Sequence, residues 1–195
     1  MIDIEKCNLV APTPENLQTE RLALRRFTLD DFDWLHRLNS DPRVTEHMGG
    51  TKTPEQSRAM LDVRILDYYD KNPGLGMWVT LDRASGAMVG FHLLNHIQGE
   101  AFIQLGYMLP VEGWGKGYAT EMSIALLRYG FGVLKLPRIV AITNRANLAS
   151  QHVLLKAGLA RNGERTFAHP AYADGNPFAW FERDREDWLA ADASR

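Results

Sequence analysis

Apolar residues change their spacing several times along the chain, and each change marks an element. In "RLALRRF" (21–27) Leu22 and Leu24 alternate with Arg21, Ala23 and Arg25, which predicts a half-buried strand. In "TLDDFDWLHRLNSDP" Thr28 stands as an N-cap with Asp31 three residues on. Phe32, Leu35 and Leu38 then follow at helical spacing. A second helix begins in "TPEQSRAMLDVRILDYYDKNPG". Thr53 caps it, Pro54 fills its first turn, Gln56 completes a capping box, and Asn72-Pro73-Gly74 stops it. Ala59, Val63 and Leu66 are its expected inward stripe.

"MWVTL" and "MVGFHLL", joined by Asp82-Arg83-Ala84-Ser85-Gly86, predict two antiparallel strands and a turn. "AFIQLGYML" predicts a third strand, ended by Pro110. Met122, Ala125, Leu126 and Tyr129 then recur at helical spacing. "RIVAI" (138–142) is apolar on both alternations, as a central strand covered on both faces would be. Asn147 and Gly158 bracket a short helix, "FAWFER" is a last strand, and a charged tail carries Trp188 and Leu189. The predicted order is β-α-α-β-β-β-α-β-α-β-β. A strand–helix–strand unit at 101–142 favours a parallel pair. Residues 1–18 read as an arm and 19–195 as one domain, with no repeat or linker.

The 195 residues fit a single domain with its own core. A net charge of −2 argues against a broad nucleic-acid surface. Cys7 is the only cysteine, so no intrachain disulfide forms and a reducing compartment is expected. Acids and prolines occupy the start, where a secretion signal needs an apolar run, and Arg128 interrupts the best membrane-span candidate. A cytoplasmic protein without a membrane partner is the expectation.

The candidate chemistry begins at "PVEGWGKGYATE" (110–121), three glycines in five positions ahead of a helix. Such a turn can offer unpaired N–H groups and the positive end of a helix to an anion. The dinucleotide pattern G-x-G-x-x-G fails because Tyr118 stands where the third glycine belongs. The P-loop fails because Gly117 follows Lys116 and Pro110 replaces the first glycine. On local pattern alone the loop fits either a phosphate site or a tightly packed turn.

"TERLALRRFTLDD", "LGYMLPVEGWGKGYATE" and "NRANLASQHVLLKAGL", in this order and at these separations, together resemble the GNAT superfamily of acetyl-CoA-dependent N-acetyltransferases. The resemblance runs over roughly residues 19–190 and is closest to the RimJ/RimL branch, which acetylates ribosomal-protein N-termini. It implies a GNAT-like α/β (α+β) domain. The sheet would be mixed, mostly antiparallel and twisted, with a splayed central parallel pair and flanking helices. It implies that the anion is the pyrophosphate of acetyl-CoA, held by the backbone of Trp114, Gly115, Lys116, Gly117, Tyr118 and Ala119 with Thr120 nearby. Pantetheine would pair with Tyr107, Met108 and Leu109 and meet Asn147. Glu112 stands where the branch often has Gln or Arg, and Lys116 compensates. The acceptor would be an amine, a protein N-terminus or a small molecule, with residues 28–75 and 162–178 shaping its site. A homodimer is a further implication. No metal is called for: His92 and His96 on a strand do not share a helix face.

Acetyl transfer needs a neutral amine, a stabilised oxyanion and a proton for the thiolate. A lysine-type amine is about one part in a thousand neutral at pH 7, an α-amine about a tenth. The resemblance gives the oxyanion to a backbone N–H near Met108 or Leu109. Related enzymes often carry a proton-donating Tyr where this chain has Leu154, and Ser150 is the substitute. Gln104 stands where a basic Glu is frequent; of Glu100, His92 and His169, His169 is the choice for the base. A CoA-binding sensor or scaffold on the same fold is the alternative to an enzyme.

Overall fold

The computed structural model describes residues 17–172 and 175–192. One seven-stranded sheet runs through it in the order β1-β2-β3-β4-β5-β7-β6. Its strands are β1 (Leu22–Arg26), β2 (Gly76–Asp82), β3 (Met88–His96), β4 (Ile103–Met108), β5 (Arg138–Asn144), β6 (Ala160–Arg165) and β7 (Phe178–Asp184). The helices are α1 (Phe32–Ser40), α2 (Pro42–Thr45), α3 (Pro54–Ala59), α4 (Asp67–Lys71), α5 (Tyr118–Arg128), α6 (Leu148–Ala157) and α7 (Arg185–Asp192). The strands pair antiparallel except β4 with β5. That parallel pair meets only at Gln104 and Val140. The expected mixed sheet with one parallel pair is therefore present. Among the described residues no helix is long and apolar enough to cross a membrane.

Local signals account for most of these elements. Thr28 and Asp31 form a capping box that starts the turn into α1, and Leu35 and Leu38 are buried beneath it. Thr53 and Gln56 form the second box, at the head of α3. Asn147 caps α6 through the N–H of Ser150, and Gly158 ends it in the left-handed conformation. Met122, Ala125 and Leu126 are buried on the inner face of α5, and Tyr129 is buried at the start of the π-helical turn that follows it. Ile139, Val140 and Ala141 of β5 are all buried, as a strand covered on both faces requires.

The second helix departs from the expected periodicity. Met60–Leu66 is wound as a π-helix between α3 and α4. An i→i+5 turn accommodates an extra residue and rotates everything after it. Met60, Leu61, Ile65 and Tyr69 therefore face the core, while Val63 is 61% exposed and Ala59 is exposed too. Of the predicted stripe, Leu66 packs against the core, while Ala59 and Val63 are corrected to exposed positions. The charged tail is helical as α7, and its Trp188 packs on Phe131. Most of the arm expected at 1–18 lies outside the described residues. Its last two residues join the sheet margin, with Gln18 bridged to Ala23 and the Leu24 N–H on the Leu17 carbonyl.

Candidate active site

Beyond Gln104 and Val140 the chain gives β4 and β5 no further mutual pairing. β4 stays paired to β3 as far as Met108, and β5 stays paired to β7 as far as Asn144. The two halves of the sheet thus part toward the C-terminal ends of the parallel strands. Open α/β sheets bind their ligands in crevices of this kind. The glycine loop follows one side of the split, and the start of α6 follows the other.

The loop is built to leave N–H groups free. Gly113 and Trp114 donate back to Pro110 and Val111, and the Glu121 N–H closes the first helical turn on the Gly117 carbonyl. Between them, the N–H groups of Gly115, Lys116, Gly117, Tyr118, Ala119 and Thr120 have no partner among the described residues. Gly117 is the N-cap of α5 and has no side chain to fill that role. Gly115 and Gly117 both have positive φ, and a Cβ on Gly115 would meet nothing within 4 Å. Six donors, a helix N-terminus and an uncovered glycine fit a pyrophosphate. Trp114 is half exposed, and its indole N–H donates to the Leu109 carbonyl at 2.9 Å. The Trp114 ring thus ties the loop to the end of β4 and occupies one backbone group that pantetheine was expected to use. A cavity of about 640 Å³ adjoins the loop at Lys116 and extends to α1, α2 and the β2–β3 turn, but it does not reach Tyr107 or Ser150.

A second device holds the loop, and it joins two of the sequence motifs. Glu121 Oε1 accepts from Thr19 Oγ1 at 2.6 Å and from the Arg21 N–H at 3.0 Å, and Oε2 accepts from Arg21 Nε at 2.7 Å. Arg21 Nη1 then reaches the Lys116 carbonyl at 3.0 Å, and the guanidinium lies over the Tyr118 ring. Burial alone would raise the Glu121 pKa, but the bonds from Thr19 and Arg21 outweigh it and hold the pKa down. Each motif was visible in the sequence; their contact, across about a hundred positions, was not. The pair is too solvated to add much stability. Its effect is to fix which way the Lys116 peptide points. Calorimetric titration of Glu121→Gln protein is expected to show a fivefold to tenfold loss of CoA affinity with a small change in melting temperature. Unchanged affinity would make this clamp irrelevant to the loop.

On the other side of the split, Asn147 and Ser150 come together as the sequence suggested. Asn147 Oδ1 accepts the Ser150 N–H at 2.9 Å. Ser150 is half-buried, and its Oγ lies 3.1 Å from the Tyr107 hydroxyl of β4. Leu154 is buried, and Met108 and Leu109 are nearly so. Burial pushes the Tyr107 phenol up to about 12.

The candidate bases are scattered. His92 is fully buried, its Nδ1 lies 2.7 Å from Thr80 Oγ1, and desolvation pushes its pKa down to about 3. It cannot exchange a proton with an acceptor. Gln104 donates to Asn95 Oδ1 at 3.2 Å, and Glu100 is exposed at the β3–β4 turn. His169 packs near Gly99 of that turn and on Tyr172, and its Nδ1 accepts the Ala171 N–H. Tyr107 lies four residues along β4 from Ile103, roughly 13 Å at 3.3 Å per residue. His169 is therefore not brought into contact with Ser150. The turn is also where the two segments expected to shape the acceptor site meet. Arg64 donates to the Gln98 side-chain oxygen, with that oxygen turned toward the guanidinium, and the Gln98 N–H donates to the Tyr172 hydroxyl.

The family model for the acetyltransferase (GNAT) domain matches residues 21–160. An uncharacterised N-acetyltransferase, p20, from Bacillus licheniformis is 32% identical over 159 residues, 77% of this chain and 88% of the relative. The crystal structure of a GNAT-family acetyltransferase from Bacillus anthracis superposes with a TM-score of 0.70 at 27% identity, over 87% of this chain and 98% of that one. A spermidine N-acetyltransferase from Vibrio cholerae, solved with CoA and spermine, shares the fold at 16% identity, with a TM-score of 0.68 over 88% of this chain and 99% of that one. With the split parallel pair and the N–H-lined loop in place, the chain belongs to the GNAT family of acetyl-CoA-dependent N-acetyltransferases.

Proposed function

We propose that the protein transfers the acetyl group of acetyl-CoA directly to a primary amine, in the manner of the RimJ/RimL branch. The observation that carries this reading is the split between β4 and β5, with free N–H groups at one rim and the Ser150 hydroxyl at the other. The backbone from Gly115 to Thr120 holds the pyrophosphate; Trp114, expected to take part, has its N–H committed to the Val111 carbonyl. Asn147 spends its oxygen on the α6 cap, which leaves its amide N–H groups for a pantetheine carbonyl. A backbone N–H near Met108 or Leu109 stabilises the oxyanion, and one such donor is worth about 3–4 kcal/mol. Ser150 donates to the departing thiolate. His169 receives the amine proton through intervening water, since it lies at the far end of β4.

The acceptor enters at the turn where Gln98, His169 and Tyr172 gather. Arg64 stands there without a carboxylate among the described residues, and desolvation lowers its pKa. Arg165 lies nearby over the Trp180 and Phe102 rings. Arg165 is offset by Glu182, so Arg64 is the cation that favours an amine also carrying an acidic group over a polycation. The relative named for spermidine acetylation therefore shares the reaction with this chain more than the acceptor.

Thiol release from acetyl-CoA over a panel of peptides, amino acids, aminoglycosides and polyamines tests the reading. Turnover is expected, with carboxylate-bearing amines ahead of spermidine. No turnover with any amine, while CoA still raises the melting temperature, would favour a CoA-binding sensor, a reading supported by Gln104 in place of an acid. A protein that neither turns over nor binds CoA would defeat both.

A further inference from the structure

The Tyr107 hydroxyl lies 3.0 Å from the Ser150 carbonyl and 3.1 Å from Ser150 Oγ. A phenol has a single proton to give. Given to the carbonyl, that proton leaves the Tyr107 oxygen to accept from Ser150, and the serine proton is turned away from the split. Given instead to Oγ, it frees the serine proton to point elsewhere. The two arrangements interchange by rotation of hydroxyls alone. We propose that Tyr107 is a positioning residue for Ser150: its hydroxyl bridges β4 to the first turn of α6, holds Oγ at the split, and sets where the serine proton points. The proposal rests on the reading of Ser150 as the thiolate's partner.

Three features of the site support it. The Tyr107 ring is held by its cross-strand neighbour His92, with centroids 5.7 Å apart, and His92 is fixed in turn by Thr80. The local work of capping α6 is done by Asn147, so the Ser150 hydroxyl is not consumed by the helix start. Burial raises the phenol pKa to about 12, well above the roughly 8.5 of an ordinary thiol, so Tyr107 supplies a hydrogen bond and keeps its proton. The proton balance of the reaction closes without it: the amine loses one N–H and the CoA thiol gains one S–H. Related enzymes often bring a phenol from the helix, at the position of Leu154. Here a phenol arrives from the strand and acts through the serine.

The test needs CoA alone and no acceptor. The ionisation of enzyme-bound CoA is followed by thiolate ultraviolet absorbance against pH. A hydrogen bond aimed at the sulfur favours the thiolate, so the bound thiol should titrate below free CoA. Ser150→Ala is expected to raise that titration by about one unit, a tenfold drop in thiolate at a given pH. Tyr107→Phe keeps the ring on His92 and is expected to raise it by a similar amount, with CoA affinity changed less than threefold. The double variant is expected to match Ser150→Ala. An unmoved titration in Tyr107→Phe overturns the proposal, as does lost CoA affinity without a shift, which would make the phenol a structural bridge. A full additional shift from Tyr107→Phe in the Ser150→Ala background also overturns it, because Tyr107 would then act on sulfur directly. If Ser150→Ala moves nothing, the reading of Ser150 itself falls, whatever Tyr107→Phe does.

Discussion

Gly117→Val protein is expected to bind CoA about a hundredfold more weakly while remaining folded. Gly117 has φ 80° and ψ 2°, the left-handed region, where an ordinary residue costs about 1–2 kcal/mol and a β-branched one more. The chain can relieve that strain only by turning the peptides around it. One of them carries the Lys116 carbonyl that Arg21 holds, and the next supplies N–H groups of the proposed cradle. A Cβ on Gly117 would stand 3.4 Å from Arg21 Nη2, an ordinary contact, so the cost lies in the backbone rather than in a clash. A tenfold loss corresponds to about 1.4 kcal/mol. Strain plus one or two lost charge-assisted N–H bonds doubles that figure. The body of α5 stays anchored by buried Met122 and Leu126, so the melting temperature should fall by only a few degrees. Gly163 on β6 is the control: it has the same φ of +80°, and nothing lies within 4 Å of its would-be Cβ. Gly163→Val should cost comparable stability and leave CoA affinity intact. Calorimetry showing wild-type affinity in folded Gly117→Val protein would remove the loop from the anion site.

The contrast between these two glycines also shows what a sequence can carry. Sheet, helices and caps were legible because each depends on nearby residues: Thr53 with Gln56, Asn147 with Ser150, the alternation around Leu22. The glycine loop was legible as a pattern, and the family resemblance gave it a ligand. Other features were not legible because their causes lie far apart along the chain. Nothing local announces the π-helix at Met60–Leu66, which rotates Val63 into solvent; only the fit of Leu61 and Ile65 to the core defines it. The Arg21–Glu121 clamp needs β1 to run beside the head of α5. Tyr107 entered the sequence reading through its backbone, yet its side chain reaches across the split to Ser150. His169 illustrates the reverse case. Its chemistry suits a base, but the turn holding it lies along β4 from the split, a separation that no residue type reveals.

Ser150→Ala should lower kcat by about 10²–10⁴-fold, the range typical of a positioned proton donor, with little change in the KM for acetyl-CoA. The split between the two constants follows from timing. Negative charge grows on sulfur only as the C–S bond breaks, so a hydrogen bond to it is realised late and contributes to the barrier rather than to binding. The obvious competing role for this serine is to satisfy the free backbone of the α6 start. Asn147 already does so, through its oxygen and the Ser150 N–H, and the serine hydroxyl is turned to Tyr107 instead. Removing Oγ therefore leaves the cap intact, and the melting temperature should move by no more than a degree or two. A leaving-group comparison sharpens the assignment. A thioester of a more acidic thiol needs less help to depart, so the penalty of Ser150→Ala should shrink with such a donor. A penalty below tenfold, or one that stays constant across leaving groups, would mark Ser150 as structural. Catalysis would then rest on the backbone oxyanion donor near Met108 or Leu109 and on positioning, with water protonating the thiolate, a regime that a largely neutral α-amine acceptor tolerates and a lysine-like amine does not.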